Sequence, residues 1–323
     1  LCQYMIPSIL FRANLSRKLS ALEEYDRDYI MNRVNYYNKL EHDFHVTESM
    51  IQLRDFNLRG LKRLGISLKH SHAYFFDTWE YIRYFPLDNW LAYRYGDVTD
   101  IPAFPSIVKS RPIDGDNQNS ILLKLNKVRH FMFASDKKSF QDKQNRLVGR
   151  NRITKAQIRR AEFWEMYFGH PLCDLGATGT RVVYPQWHTD FMTIADHLDF
   201  KFILCLEGND VASNLKWVMS SNSIAVMPEP VYETWFMEGT LIPDVHYIAI
   251  KKDYSDLERK LNYYLQNTDK ALEIIENAHR YVKRFQDRKC EDLVSLLTLQ
   301  KYFAACLKTA EAPFSGGVVN FVF

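Results

Sequence analysis

Residues 201–219 read KFILCLEGNDVASNLKWVM, an apolar run followed by a turn that contains glycine and then by a second, partly apolar run. The run Phe202 to Leu206 predicts a buried strand, and Val211 to Met219 predicts the helix that follows it. Further strands of the same kind are predicted at 172–175, 223–227 and 245–250. Helical patterns separate these strands, and such alternation predicts a parallel, doubly wound α/β sheet.

The composition is typical of a globular protein with a large core, since 46% of the 323 residues are hydrophobic and 25% are charged. A net charge of +3 is too small to indicate a nucleic-acid partner. Five cysteines without a CxxC spacing are typical of free thiols in a reducing compartment. No run reaches the roughly 20 apolar residues of a spanning helix. We therefore expect a cytoplasmic protein and leave peripheral contact with a membrane surface open.

The turn after the first strand is a candidate ligand site, because ligands of open α/β sheets bind outside the carboxyl ends of the strands. Gly208 lets a backbone approach a ligand closely. A helix that starts at Val211 would offer free N–H groups to a phosphate, and Lys216 would add a cation. The stretch is neither a GxGxxG nor a P-loop sequence, so a plain strand–turn–helix explains it equally well.

A second candidate is the acidic, proline-rich segment 227–238, which reads MPEPVYETWFME. Its carboxylates at Glu229, Glu233 and Glu238 can accept hydrogen bonds from sugar hydroxyls. Trp235 offers an apolar face on which a sugar could pack. A solvated acidic loop without a ligand is the alternative interpretation.

Asp97 follows a short strand and a glycine in the segment YGDVTD, residues 95–100. A carboxylate in that place can serve as a general base, although a lone Asp after Gly is commonly a turn residue. The Asp114-Gly-Asp116 sequence is a weaker candidate for a metal ligand, because no apolar strand directly precedes it. The ten histidines form no ligand spacing, so no metal site is predicted.

Several long blocks occur together, among them YRYGDVTDIPAFPSIVKSRPI, KFILCLEGNDVASNLKWVMSSNSIAVMPEP and ETWFMEGTLIPDVHYIAIKKDYSDLERKL. In this order they resemble glycosyltransferase family 90, which includes bacterial lipopolysaccharide-modifying glucosyltransferases, fungal capsule xylosyltransferases and animal protein O-glucosyltransferases. The likeness is greatest to the bacterial members and covers roughly residues 70–305.

The resemblance implies a GT-B-like α/β fold, with two Rossmann-like domains facing across a cleft and an additional helical segment at the N-terminus. We expect that helical segment at 1–70 and an acceptor-side domain at 71–145, against which a helix at 286–310 could pack. The nucleotide-sugar-binding domain is expected at 146–285.

The resemblance also implies an inverting, metal-independent transfer from a UDP-sugar. The block around Gly96 matches the region of the catalytic Asp, so Asp97 is the expected base and Asp100 the second choice. Arg150, Arg152 and Lys216 are the cations expected at the diphosphate. The full set of expected donor-binding residues is Arg150, Arg152, Gly208, Asn209, Asp210, Ser213, Lys216, Glu229, Glu233 and Trp235.

The expected function is that of a hexosyltransferase that needs no cofactor and moves glucose from UDP-glucose to lipopolysaccharide or another surface glycan. It would work in the cytoplasm, with the inner face of the cytoplasmic membrane as one location. Glu207 stands where animal members have a cation, and this motivates the alternative of an inactive binding protein of the same fold. A xylosyltransferase is a further alternative, because contacts to one hydroxymethyl group decide the sugar.

Overall fold

The computed structural model describes residues 8–57, 72–179 and 183–307, in which helices and strands alternate. The helices are α1 (Ser8–Ala13), α2 (Leu15–Leu19), α3 (Arg27–Tyr37), α4 (His72–Ile82), α5 (Lys127–His130), α6 (Ile158–Tyr167), α7 (Ile194–His197), α8 (Leu215–Met219), α9 (Leu257–Gln266), α10 (Thr268–Lys283) and α11 (Arg288–Ala305). The strands are β1 (Phe44–His45), β2 (Ile51–Gln52), β3 (Trp90–Leu91), β4 (Tyr93–Arg94), β5 (Ser106–Val108), β6 (Ser110–Pro112), β7 (Ser120–Leu122), β8 (Gln144–Asn151), β9 (Cys173–Ala177), β10 (Phe200–Leu204), β11 (Ile224–Met227), β12 (Tyr232–Thr234), β13 (Ile248–Ala249) and β14 (Cys306–Leu307).

The described residues divide into two units. The first lies within Leu1–Asn126 and Arg288–Phe323, and the second is Lys127–Asp287. Each unit contains parallel strands, so the predicted α/β class is confirmed. The GT-B arrangement and the domain boundary near residue 145 remain predictions.

The second unit is built on a five-stranded parallel sheet with the strand order β13-β11-β10-β8-β9. Its central strand β10 is the strand predicted from residues 202–206. Phe202 pairs with Ile224 on one side and with Leu147 on the other. Phe202 and Leu147 are fully buried, because a central parallel strand is covered on both faces and selects apolar side chains at every position.

Helix α10 covers this sheet with the apolar face that its spacing predicts. The apolar residues at helical spacing in α10 and just after it are all buried: Ala271, Ile274, Ile275, Ala278, Val282 and Phe285. The sequence Ser255-x-x-Glu258 predicts a capping box, but this prediction is wrong, because α9 begins at Leu257 with Asp256 in the N-cap position. The Ser255 hydroxyl instead donates to Asp253 Oδ1 at 2.8 Å.

The helix predicted from Val211 is shorter than expected. Helix α8 begins at Leu215 and is only five residues long. Asn214 immediately precedes it, and its Nδ2 donates to the Leu204 carbonyl at 2.9 Å. Residues 211–214 form a bend and a turn, in which the Leu215 N–H donates to the Ala212 carbonyl at 3.2 Å, so the expected helix N-terminus at Val211 is absent from the described structure.

The first unit contains a three-stranded parallel sheet with the order β4-β5-β7. Helix α11 packs against α3 through Glu291, which accepts from Arg33 at 2.6 Å. Helices α1 to α3 and strands β1 and β2 lie within residues 1–70, and the helical segment expected there remains a prediction. Residues 1–7 and 58–70 of that expected segment lie outside the described residues.

Among the helices of the described ranges, none has both the length and the apolar character needed to cross a bilayer.

Candidate active site

A solvent-open cleft lies at the carboxyl ends of β10 and β11 in the second unit, where an open parallel sheet binds its ligands. One part of its wall is apolar, with Leu206 and Val211 among the contributors, and another part is charged. The cleft is lined by Arg159, Cys205, Leu206, Glu207, Val211, Ala212, Leu215, Met227, Pro228, Glu229, Pro230, Val231, Tyr232, Glu238, Lys252 and Tyr254.

A buried ion pair lies beneath the cleft. Lys216 Nζ donates to Glu238 Oε1, and the side chains of both residues are 1% exposed. Thr234 donates to the same carboxylate from its backbone N–H at 2.7 Å and from its hydroxyl at 3.0 Å. The structure therefore places Lys216 in contact with a protein carboxylate rather than on the cleft surface.

Two basic side chains that do reach the cleft are Arg159 and Lys252. Arg159 is 69% exposed, and its guanidinium lies 3.9 Å from Glu207. Neither residue was predicted as part of the site, although Arg159 follows the predicted Arg150 and Arg152 closely in sequence. Lys252 was missed because the turn after β13 carries no motif.

The predicted cations Arg150 and Arg152 lie at the end of β8. Arg150 donates to Asp174 Oδ1 at 2.6 Å and to the Asp174 carbonyl at 2.8 Å, so its guanidinium is held against β9. Arg152 is exposed, and its backbone carbonyl accepts a hydrogen bond from Arg160 at 2.9 Å. Within the described ranges, the cleft wall includes neither arginine.

At Gly208 the structure shows a protein side chain where the sequence predicts close approach of a ligand. A Cβ on Gly208 would lie 2.8 Å from Arg160 Nη2, so the glycine makes room for a protein guanidinium. Asn209 is exposed and accepts from Gln157 at 3.4 Å, whereas Asp210 is buried. Ser213, the next expected donor residue, is half-buried.

The acidic segment after β11 divides into an exposed part and a buried part. Glu229 is exposed and lines the cleft. Glu233 and Trp235 are 1% and 0% exposed. The expected packing of a sugar on Trp235 is therefore not available at the surface described here, and the large apolar ring contributes to the core instead.

In the first unit, Asp97 follows β4 after a turn at Gly96, whose φ of 107° favours glycine. Asp97 Oδ1 accepts from Lys109 Nζ at 2.6 Å, and the two side chains are 26% and 1% exposed. A buried ammonium thus fixes the direction of a carboxylate that solvent can reach.

The second-choice base, Asp100, lies in a different environment. Its two carboxylate oxygens accept from Arg94 at 2.8 and 2.9 Å, and both side chains are exposed. The hydrogen bonds from Arg94 lower the pKa of Asp100. Both carboxylate oxygens of Asp100 are therefore engaged by an exposed guanidinium.

No group of three or more His, Cys, Asp or Glu residues with a geometry for metal binding occurs within residues 8–57, 72–179 and 183–307. In the Asp114-Gly-Asp116 sequence, Asp116 Oδ1 accepts the N–H of Gln118 at 3.1 Å, as in an Asx turn.

The cleft at the strand ends of this α/β protein has an apolar part and a charged part, and comparison with known proteins defines the class. The family model for glycosyl transferase family 90 matches residues 141–309, just over half of the chain. The chain belongs to this family, which confirms the predicted enzyme class, a hexosyltransferase-type glycosyltransferase.

Two relatives illustrate the range of similarity. The chain is 40% identical over 278 residues to the O-glucosyltransferase LpsA of Dichelobacter nodosus, a match that covers 86% of this chain and 84% of that protein. It is 28% identical over 120 residues to the uncharacterized protein 027R of Frog virus 3. That second match covers 36% of this chain and 12% of the viral protein.

Proposed function

We propose that this enzyme transfers glucose from UDP-glucose to a hydroxyl group of lipopolysaccharide or another surface glycan, with inversion and without a metal ion. The observation that carries the donor assignment is the cleft at the carboxyl ends of β10 and β11. The name of the 40% identical relative supports a glucosyl group. The acceptor rests on the resemblance to lipopolysaccharide-modifying members of the family.

In this proposal Arg159 and Lys252 contact the diphosphate, because they are basic side chains that line the cleft. The apolar wall around Val211 and Leu215 receives a flat or apolar part of the donor, and Glu229 accepts from its hydroxyl groups. Arg152 remains a candidate at the edge of the site. Lys216 supports the wall from behind through Glu238, whereas Arg150 is held at β9 by Asp174.

The proposed reaction needs one proton transfer and one displacement. Asp97 accepts the proton of the acceptor hydroxyl while that oxygen bonds to the anomeric carbon. The bond from the same carbon to UDP breaks with its electron pair, and the configuration inverts. Negative charge grows on the departing diphosphate, where positioned cations stabilise it.

A panel of nucleotide sugars in thermal-shift and transfer assays tests this function. UDP-glucose should raise the unfolding midpoint more than UDP-xylose, GDP-mannose or CMP-sialic acid, since a ligand of the native state at 100 times its Kd adds about 2.7 kcal/mol. A greater effect of UDP-xylose would indicate the pentosyl alternative. Binding without transfer to any glycan acceptor would indicate an inactive binding protein, and a preference for GDP or CMP sugars would contradict the donor assignment.

The two cleft cations provide a sharper test of the donor site. Arg159→Met and Lys252→Met should each weaken UDP binding about ten-fold, because a hydrogen bond to a charged group contributes about 1.5 kcal/mol. Titration calorimetry with UDP measures this effect. Arg280→Met is a matched control, because Arg280 is also 69% exposed and pairs with Glu276 on α10. If Arg159→Met and Lys252→Met bind UDP as tightly as the parent enzyme and the Arg280→Met control do, the assignment of the diphosphate site is wrong.

A further inference from the structure

Arg160, in helix α6, connects two of the loops that surround the cleft. Its Nη1 donates to the carbonyl of Arg152 at 2.9 Å, in the loop after β8. Its Nη2 and Nε donate to the carbonyls of Leu206 and Glu207 at 2.9 and 3.1 Å, in the loop after β10. One planar guanidinium therefore fixes the ends of two neighbouring strands.

The geometry around Gly208 shows how closely Arg160 fits. The Cβ of any larger residue at position 208 would lie 2.8 Å from Nη2 and 3.1 Å from the guanidinium carbon. Burial, followed by the charge of Arg129, lowers the pKa of Arg160 to about 10, which leaves the group charged at neutral pH. The three hydrogen bonds of this cation all go to backbone carbonyls, so they fix the loops directly.

Glu207 extends the connection to a third loop. Its Oε1 accepts the backbone N–H groups of Val231 at 2.9 Å and Tyr232 at 3.1 Å, in the segment after β11. Its side chain is 16% exposed, and burial raises its pKa. The carbonyl of this residue accepts from Arg160 while its carboxylate holds the segment after β11.

We propose that Arg160 and Glu207 are positioning residues that hold the loops after β8, β10 and β11 in the geometry that binds the nucleotide sugar. This inference rests on the proposed function of the cleft. It assigns to Glu207 the task of ordering the cleft wall, at a place where animal members of the family have a cation.

The physical argument is one of preorganisation. Leu206, Glu207, Val231 and Tyr232 all line the cleft, and each is held by a hydrogen bond from or to these two side chains. Without them, the loops would have to be ordered by the ligand at the expense of its binding energy. The loss of these side chains should therefore weaken donor binding and leave the rate of the chemical step nearly unchanged.

The first variant is Arg160→Met, which keeps the length and apolar stem of the side chain but removes all its donors. We expect the KM for UDP-glucose and the Kd for UDP to rise about ten-fold while kcat changes less than about three-fold. Gly208→Ala is a milder second variant, because its methyl group displaces the guanidinium without removing it. It should raise the same two constants by about three-fold.

The second pair of variants tests the acceptor role of Glu207. Glu207→Gln retains an oxygen that can accept from Val231 and Tyr232, so the KM for UDP-glucose should stay within about two-fold of the parent value. Glu207→Met has a similar shape without an acceptor and should raise the KM about ten-fold. Rescue by glutamine separates a hydrogen-bonding role from a contribution of charge.

Glu165→Gln is the control, because Glu165 is an exposed residue of the same helix that lies away from the cleft wall. Parent-like KM values for Arg160→Met and Gly208→Ala, or equal values for the two Glu207 variants, would overturn the inference. If the parent enzyme itself neither binds UDP nor transfers glucose, the proposed function fails. A parent enzyme that does both, with unaffected variants, refutes only the positioning role.

Discussion

Asp97→Asn is expected to lower kcat for sugar transfer by about 10³-fold, because an amide cannot accept the proton of the acceptor hydroxyl. The side chain keeps its shape, and the cleft proposed to bind UDP is lined by residues of the second unit. UDP affinity should therefore remain within about two-fold of the parent value. Transfer rates and calorimetry on the same preparation measure both quantities.

The ion pair with Lys109 requires a control for stability. Lys109 is 1% exposed and lies 2.6 Å from the carboxylate, so the substitution removes a negative charge beside a buried ammonium. The double variant Asp97→Asn with Lys109→Met removes both charges and should recover stability without recovering transfer. Parent-like transfer by either variant would exclude Asp97 as the base.

Asp100→Asn distinguishes the two candidate bases. Its carboxylate already accepts two hydrogen bonds from Arg94 at an exposed position. An exposed pair contributes about 0–1 kcal/mol to stability, so this variant should fold normally and transfer sugar at close to the parent rate. A loss of transfer here, with full activity in Asp97→Asn, would reverse the assignment.

Lys216→Met is expected to lower the free energy of unfolding by about 3–5 kcal/mol, because it leaves the carboxylate of Glu238 buried without its cation. Both side chains are 1% exposed, so water cannot replace the lost partner. Urea unfolding followed by circular dichroism measures the change. The double variant Lys216→Met with Glu238→Gln should recover much of the loss.

Lys270→Met is the matched control for this experiment. Lys270 forms an ion pair with Glu273, but the two side chains are 55% and 59% exposed. Its removal should leave the urea midpoint close to the parent value, because water screens an exposed pair. If Lys216→Met is as stable as this control yet binds UDP weakly, Lys216 contacts the diphosphate directly, as the sequence interpretation had it.

The parallel sheet and its helices were predictable because apolar periodicity reports burial directly. The run of Phe202, Ile203 and Leu204 is buried along its whole length in β10, and the spacing of apolar residues in α10 matches its buried face. The helix start at Leu215 was not predictable in the same way. Residues 211–214 form a bend and a turn in place of the expected first helical turn, and local apolar spacing does not distinguish the two.

The site was predicted less completely than the fold. The sequence indicated the strand ends at which the cleft lies, since chain connectivity determines which loops follow which strands. It did not indicate that Arg159 and Lys252 reach the cleft while Glu233 and Trp235 lie in the core. Side-chain direction and burial at those positions depend on neighbours that are distant in sequence.

The stretch at 201–219 by itself determined a buried strand, a turn and a following helix, because local periodicity carries that information. Only the tertiary structure showed which contacts the residues of the turn and the helix make. Gly208 accommodates Arg160, Glu207 holds the segment after β11, and Lys216 pairs with Glu238. The physical reason is that each of these three residues is constrained by contact with a residue outside the stretch. Those contacts are with Arg160, with the segment after β11 and with Glu238.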